Sequence, residues 1–424
     1  MSFYRFATSE LLSTYFPTWI WQGREWSKGR IPKYDPYYWG NAHAHPVLST
    51  YYPPSIFLSA ISTAGSKLDR IFRHYLCFLL VHYVVGCVAW FWLFSQHSTP
   101  RISLFGAITI TFGAYALKQQ PCIIYTLAWF PLSLYQNPLV STTAIGMMLL
   151  SGYYPFAIYL MPVSIISHIL WYQEAWLLFG IIMGLPQLIP FIKHLPKTIK
   201  RMNDKCEETP SVERRFYVGV VPILLLIFSK SSIWPLTIAS AVFALGLGKS
   251  IFPRIHERWL MVLQFCIGWS SVSALTNLNL TNIQLILLVA LHAFDLYWHN
   301  RECLPPSPYC ELWRRPSRAF NTPLTRFLEA NLGDYKVSGL PWPLFTGHIN
   351  NLKTMGYCGS MQTKEMWSWR KSFKHDPFID GVDECDLTNR GVGFAYSRKK
   401  LDWLHTGIPH LYRNPSTNGL QDRL

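Results

Sequence analysis

Charged residues are scarce in this chain: Asp, Glu, Lys and Arg make up 14% of its 424 residues, against 50% hydrophobic. That balance excludes an intrinsically disordered chain, which stays unfolded only when it has too little apolar surface to bury. The same composition speaks against a single soluble globule, because apolar runs succeed one another from about residue 75 to 298 with one long polar break. Acid is scarcest of all, 23 residues against 38 basic ones, for a formal net charge of +15. In a soluble protein this excess would suggest nucleic acid. Beside so many apolar runs it points to lipid phosphates or an anionic, lipid-linked substrate, and no nucleic-acid partner is expected. The nine cysteines form no C-x-x-C pair and no His/Cys spacing suited to zinc. Cys77, Cys87, Cys122 and Cys266 lie in apolar runs as small hydrophobes, whereas Cys303, Cys310, Cys358 and Cys385 could pair in three ways or stay as thiols. The start has no basic end followed by an unbroken apolar core, so no signal peptide is expected. Gly248-Lys249-Ser250 resembles the tail of a phosphate-binding loop, but Phe243 stands where that loop needs its first glycine.

Aromatic residues are plentiful, 16% of the chain with 18 Trp and 23 Tyr, residue types that favour a membrane–water boundary. The expected fold is mainly α: a polytopic α-helical membrane protein of about ten spans. These run roughly 75–94, 102–117, 121–135, 138–151, 153–172, 175–192, 216–228, 231–247, 259–275 and 283–298. Several fall short of the roughly 20 residues that a straight helix needs to cross a bilayer, so the count is soft. Residues 1–74 read as an amphipathic, aromatic and proline-rich region with two short helices near Ser9–Lys28 and Pro54–Arg73. Residues 75–298 read as the membrane domain with a polar loop at 193–215, and residues 299–424 as a small mixed α/β domain with strand-like bursts at Tyr335–Leu340 and Gly391–Tyr396.

The most informative segment begins at Glu10-Leu-Leu-Ser-Thr-Tyr-Phe-Pro17 and continues with Gly29-Arg-Ile-Pro32-Lys-Tyr-Asp35-Pro36-Tyr37. It then runs through Gly40-Asn41 and His43-Ala-His45-Pro46 to Tyr51-Tyr52-Pro53-Pro54. By its residues alone this is a loop at the bilayer surface, bearing two carboxylates and two histidines among rings that stack equally well on sugars or among headgroups. The order of an acid seven residues before Pro, then G-x-x-P-x-x-(N/D)-P-Y, Gly and Tyr-Pro resembles the YfhO-like bacterial membrane proteins of the GT-C glycosyltransferase class. Leu150-Ser-Gly-Tyr-Tyr-Pro155, Gly184-Leu-Pro-Gln187 through Lys200-Arg201, and Asp295-Leu296 add to the likeness. So do Tyr335-Lys-Val337, Asn350-Asn351, Gly356-Tyr357, Gly391-Val392 and Leu411-Tyr-Arg-Asn-Pro415, which spreads it over most of the chain.

The resemblance implies transfer of a sugar from a polyprenyl-phosphate carrier to a glycopolymer or glycolipid acceptor on the outer face of a bacterial cytoplasmic membrane. A hydroxyl acceptor needs a base as its new bond forms, and Glu10 matches the family's acid; its alternative is an exposed helix carboxylate. Asp35, where the pattern more often has Asn, either orients a sugar beside Tyr37 or caps the turn before Pro36. His43 and His45, two residues apart, are too few for a metal site but suffice to help hold a phosphate. No cofactor is expected, and metal dependence stays open, since the first loop has no D-x-D pair to decide it. Lys197 and Arg201, with Lys193 and Lys200, either meet the donor's phosphate or form a solvated face. Asp295, three residues after His292, either binds substrate or serves as a structural hydrogen-bond partner.

Sidedness divides two arguments. Lys67, Arg70 and Arg73, and the seven Lys or Arg of 193–215, would lie in the cytoplasm by charge bias; the resemblance puts both outside, with the N-terminal loop and the C-terminal domain. The resemblance leads one to expect a further span ahead of the catalytic loop; either it lies upstream of Met1, or the N-terminal tail crosses unescorted, or the chain is a decayed, inactive homologue. The competing class is a non-catalytic polytopic protein, such as a transporter subunit, an envelope-polymer assembly factor or an inactive homologue.

Overall fold

The computed structural model describes residues 15–32, 34–35, 37, 42–43, 49–113, 121–152, 154–170, 174–194, 216–230, 233–244, 255–303, 316–338, 347, 349–353, 392–396, 404–406, 408 and 411–414. Among these, helix predominates. The N-terminal elements are α1 (Phe16–Ser27), β1 (Tyr34–Asp35), β2 (Ala42–His43), α2 (Pro53–Thr63) and α3 (Leu68–Ser95). Next come α4 (Pro100–Phe112), α5 (Pro121–Ser133), α6 (Pro138–Leu150), α7 (Tyr154–Leu170) and α8 (Glu174–His194). They are followed by α9 (Val220–Leu225), α10 (Trp234–Ala244), α11 (Ile255–Asn277) and α12 (Asn282–Cys303). The C-terminal elements are α13 (Pro316–Phe320), α14 (Pro323–Asn331), β3 (Lys336–Ser338), β4 (Val392–Tyr396), β5 (Leu404–His405) and β6 (Leu411–Arg413). The chain divides into two units, a helical one of 76–189 and 200–307 and a second one of 7–75, 190–199 and 308–424.

Each of the ten apolar runs contains a helix, but the helices differ in reach. Leu68–Ser95, Ala175–Lys193 and Trp259–Asn277 are long and apolar enough to cross a membrane. Helices α4, α5 and α6 have 13 residues each, a length of about 20 Å, short of a roughly 30 Å hydrocarbon layer. The expected second helix at Pro54–Arg73 is broken. Helix α2 ends at Thr63, the chain turns through 64–67, and α3 begins seven residues before the expected first span.

In the helical unit, small residues let the backbones approach. A Cβ on Gly106 of α4 would lie 2.4 Å from Val272 Cγ2, and one on Gly268 of α11 would lie 2.6 Å from Ile110 Cγ1. Gly180 and Gly184, a small-xxx-small pair on α8, lie against Ile145 and Leu149 of α6, and Gly146 answers from α6 against Met183. Polar side chains add cross-helix bonds: Thr142 Oγ1 donates to Trp176 O at 2.9 Å, and His168 Nε2 meets Ser141 Oγ at 3.1 Å. Trp90 centres an aromatic core with Phe94, Phe130 and Phe265 at 5.5–5.8 Å. Large apolar side chains stay exposed along α3 (Leu80, Val81, Val84, Val88), α8 (Leu178, Phe179, Ile182, Ile189) and α12 (Ile283, Leu287, Leu291, Phe294).

The second unit joins both ends of the chain. Asp69, in the first turn of α3, accepts from Ser317 N at 2.9 Å and Ser317 Oγ at 2.8 Å, tying α3 to α13. Strands β3, β4, β6 and β5 form one sheet in that spatial order; β3–β4 is parallel and the other pairs are antiparallel. The two strand-like bursts of the sequence contain β3 and β4. Val337, Val392, Phe394, Ala395 and Leu411 are buried, and Phe327 of α14 meets Phe394 edge-on at 5.9 Å. Reciprocal bonds between Thr322 and Thr325 start α14 with a capping box.

Candidate functional site

In the second unit, α1 and α2 flank the connection that carries the sequence-derived site. Pro17 near its start favours α1, and most of its first two turns are buried. Phe16 packs on Phe72 at 4.8 Å, and Trp19 on Tyr75 at 4.9 Å, so α1 lies on the opening turns of α3. Its other neighbour is α2. A Cβ on Gly23 would stand 2.5 Å from the backbone oxygen of Ser59, so the two helices touch through a residue with no side chain.

The connection between them is fixed at both ends. At its start, Arg30 returns to Glu25 with a two-pronged ion pair at 2.7 and 2.8 Å, which holds the Arg30 guanidinium above its ordinary pKa. At its close, Gln22 Nε2 donates to Thr50 Oγ1 at 3.0 Å in a buried bond. Between these points β1 and β2 pair antiparallel, Tyr34 opposite His43 and Asp35 opposite Ala42, with Tyr37 half-buried at the turn. Arg24 reaches from α1 to Asn351 Oδ1 at 3.0 Å and Ile349 O at 3.4 Å. Its pKa is lowered by burial, an effect that Tyr37 nearby opposes. Burial also raises the Tyr51 phenol.

Asp35, Tyr37 and His43 therefore share one short hairpin, with Arg24 beside it. Glu10, His45, Lys197 and Arg201 lie outside the described residues. Arg24 was missed by sequence reasoning, because it stands outside the quoted motif and its partners are more than 300 positions away.

Asp295 belongs to the helical unit, and both its oxygens are engaged. Tyr217 Oη donates to Oδ1 at 2.5 Å and Val220 N–H donates to Oδ2 at 2.9 Å, which fastens the segment 216–219 and the start of α9 to α12. Gly219 has φ +93°, and a Cβ there would stand 2.6 Å from His292 Cε1 and 3.2 Å from Asp295 Oδ2. His292 Nε2 meets Thr109 Oγ1 at 2.9 Å. That hydroxyl also lies within bonding reach of Phe105 O at 2.8 Å. Tyr217 stacks on His299 with centroids 3.7 Å apart. The two oxygens of Asp295 thus hold protein. Asp295→Ala should lose about 2 kcal/mol of local stability, the worth of charge-assisted bonds at a half-buried position. Hydrogen exchange over 216–228 should then quicken roughly 30-fold, at about tenfold per 1.4 kcal/mol. Unchanged exchange would show that Asp295 does not hold this segment in place.

Among the described residues no group of three His, Cys, Asp or Glu side chains is placed to hold a metal. No protein-family model matches the chain, and no curated protein matches it.

Proposed function

We propose that this chain is a polytopic membrane glycosyltransferase of GT-C type, with about ten spans and a small mixed α/β C-terminal domain. It moves a sugar from a polyprenyl-phosphate-linked donor to a glycopolymer or glycolipid at the outer face of the bacterial cytoplasmic membrane. The observation that carries the reading is the fixing of the aromatic, acid-bearing connection between α1 and α2 at both ends, by Arg30–Glu25 and Gln22–Thr50. Transfer chemistry gains from residues held in place before substrate arrives. Exposed apolar faces on α3, α8 and α12 support the membrane half of the proposal, since contiguous patches of that extent on a protein in water mark an interaction surface.

Glu10 serves as general base in this reading. Asp35 and Tyr37 orient a sugar, His43 and His45 help to hold a phosphate, and Lys197 and Arg201 meet the lipid phosphate of the donor. Asp295 supports α9 and reaches substrate only through it. The experiment is direct: membranes containing the full chain are mixed with radiolabelled polyprenyl-phosphate hexoses, and label is followed into membrane glycan. A reporter fused after Leu424 should be active only outside the cytoplasm. No transfer from any donor overturns the enzymatic reading, and cytoplasmic reporter activity overturns the sidedness.

A further inference from the structure

Helix α2 is amphipathic in the opposite sense to a water-facing helix. Ser55, Ser59 and Ser62, at spacings of four and three, are at most 2% exposed, whereas Phe57 is 69% and Ile61 56% exposed. The buried face meets α1 and the opening of α3. Ser59 Oγ donates to Ile56 O at 3.2 Å, its backbone meets Gly23 of α1, and Ser62 Oγ meets His74 Nδ1 at 3.1 Å. Small hydroxyl side chains let α1 and the opening of α3 come close, and the large apolar side chains are turned outward.

What covers that outward face follows from where α2 sits in the chain. Only four residues, 64–67, separate its end from α3, which is long and apolar enough to cross a membrane. Four residues reach at most about 14 Å, so α2 stays close to the level at which that span begins. The junction is basic: Lys67, Arg70 and Arg73 are all exposed, three positions apart along the chain. Cations beside an apolar face are the composition of a helix lying at a headgroup boundary. At 11 residues, or about 16 Å, α2 is too short to cross.

We propose that α2 is an in-plane membrane helix. Phe57 and Ile61 enter the acyl layer, Lys67, Arg70 and Arg73 face anionic headgroups, and the α1–α2 connection is thereby seated at the bilayer surface. The proposal rests on the membrane reading above and adds to it a second mode of contact, lateral rather than spanning.

The test uses the full chain in vesicles of phosphatidylethanolamine and phosphatidylglycerol. Single substitutions Phe57→Cys, Ile61→Cys, Lys67→Cys and Val84→Cys are labelled with a membrane-impermeant maleimide and read by peptide mass spectrometry, which separates them from the native cysteines. Phe57→Cys and Ile61→Cys should label about tenfold or more slowly than Lys67→Cys, as side chains withdrawn from water do. A phospholipid with a diazirine on its acyl chain should mark wild-type residues 57–61. Fast labelling at position 57 with protection at position 84 overturns the in-plane helix alone; fast labelling at both overturns the membrane reading with it. Protection that disappears when vesicles hold one copy each would assign the face to a second copy and overturn lipid as its occupant.

Discussion

Gly23→Val should open the α1–α2 pair and expose the connection between them to protease. The β-carbon is the decisive atom, since it would lie 2.5 Å from Ser59 O, 2.7 Å from Ser59 C and 2.9 Å from Ser59 Cβ. Two of these are backbone atoms and cannot rotate away, so the helices must move apart. Glycine-to-alanine changes inside helices ordinarily stabilise by about 0.5–1 kcal/mol. Here the sign reverses: Gly23→Ala already introduces the clash, and valine adds branches to it. Overpacking of this kind costs about 1–3 kcal/mol, and the buried Gln22–Thr50 bond, one residue away, strains with it. A combined loss of about 3 kcal/mol is expected for valine. Limited trypsin digestion should then cut after Arg30 and Lys33 much faster than in wild type. Gly29→Ala is the control. Gly29 has φ +70° with nothing within 4 Å of the added carbon, so only backbone strain of about 1–2 kcal/mol follows, and the helix contact survives. Equal protease resistance in Gly23→Val and wild type would show that this contact does not hold the pair together.

The helices were legible because hydropathy marks them: runs such as Ile283–Trp298 leave little alternative to buried or lipid-covered helix, and α12 spans Asn282–Cys303. Which way a helix faces is another matter. In Pro-Pro-Ser-Ile-Phe-Leu-Ser-Ala-Ile-Ser-Thr the apolar stripe reads as the inward face, yet the structure buries the serines. Periodicity gives a stripe and its opposite; only neighbours decide which of them is covered. Gly180 and Gly184 are the counterexample, a small-residue spacing that by itself names a close-packed face.

Long-range polar ties were the least legible. His292 and Asp295 stand out at a spacing of three on one helix, but nothing local in the sequence pairs Asp295 with Tyr217 or His292 with Thr109, 78 and 183 positions away. Asp69 and Ser317, 248 apart, join the two ends of the chain into one unit by the same kind of contact. Asp295 looks like an available functional carboxylate until its partners are placed. For the α1–α2 connection, the motif placed Asp35, Tyr37 and His43 on one stretch of chain, and the strand pairing gives their backbone register. Glu10 is known by its place in the motif alone.

Glu10→Gln should abolish most sugar transfer while leaving the protein in the membrane at its normal level. A neutral hydroxyl attacks the anomeric carbon poorly until its proton is removed in the transition state, and a positioned general base contributes about 10²- to 10⁴-fold. At about 1.36 kcal/mol per decade, removing it raises the barrier by roughly 3–5 kcal/mol. Glutamine keeps the shape and hydrogen-bonding reach of the side chain but cannot take the proton, so the loss should fall on kcat with KM little changed, the mark of an interaction made only in the transition state. Glu10→Asp retains a base and shortens the reach by one methylene, and it should keep more activity than Gln. Asp35→Asn, which installs the residue more usual in the family's pattern, should leave most transfer intact if Asp35 only orients a sugar. The three variants then separate the roles: Gln inactive, Asp partly active and Asn near normal identifies Glu10 as the base. Full transfer by Glu10→Gln would remove the chemical step from this carboxylate and leave the non-catalytic reading of the chain in its place.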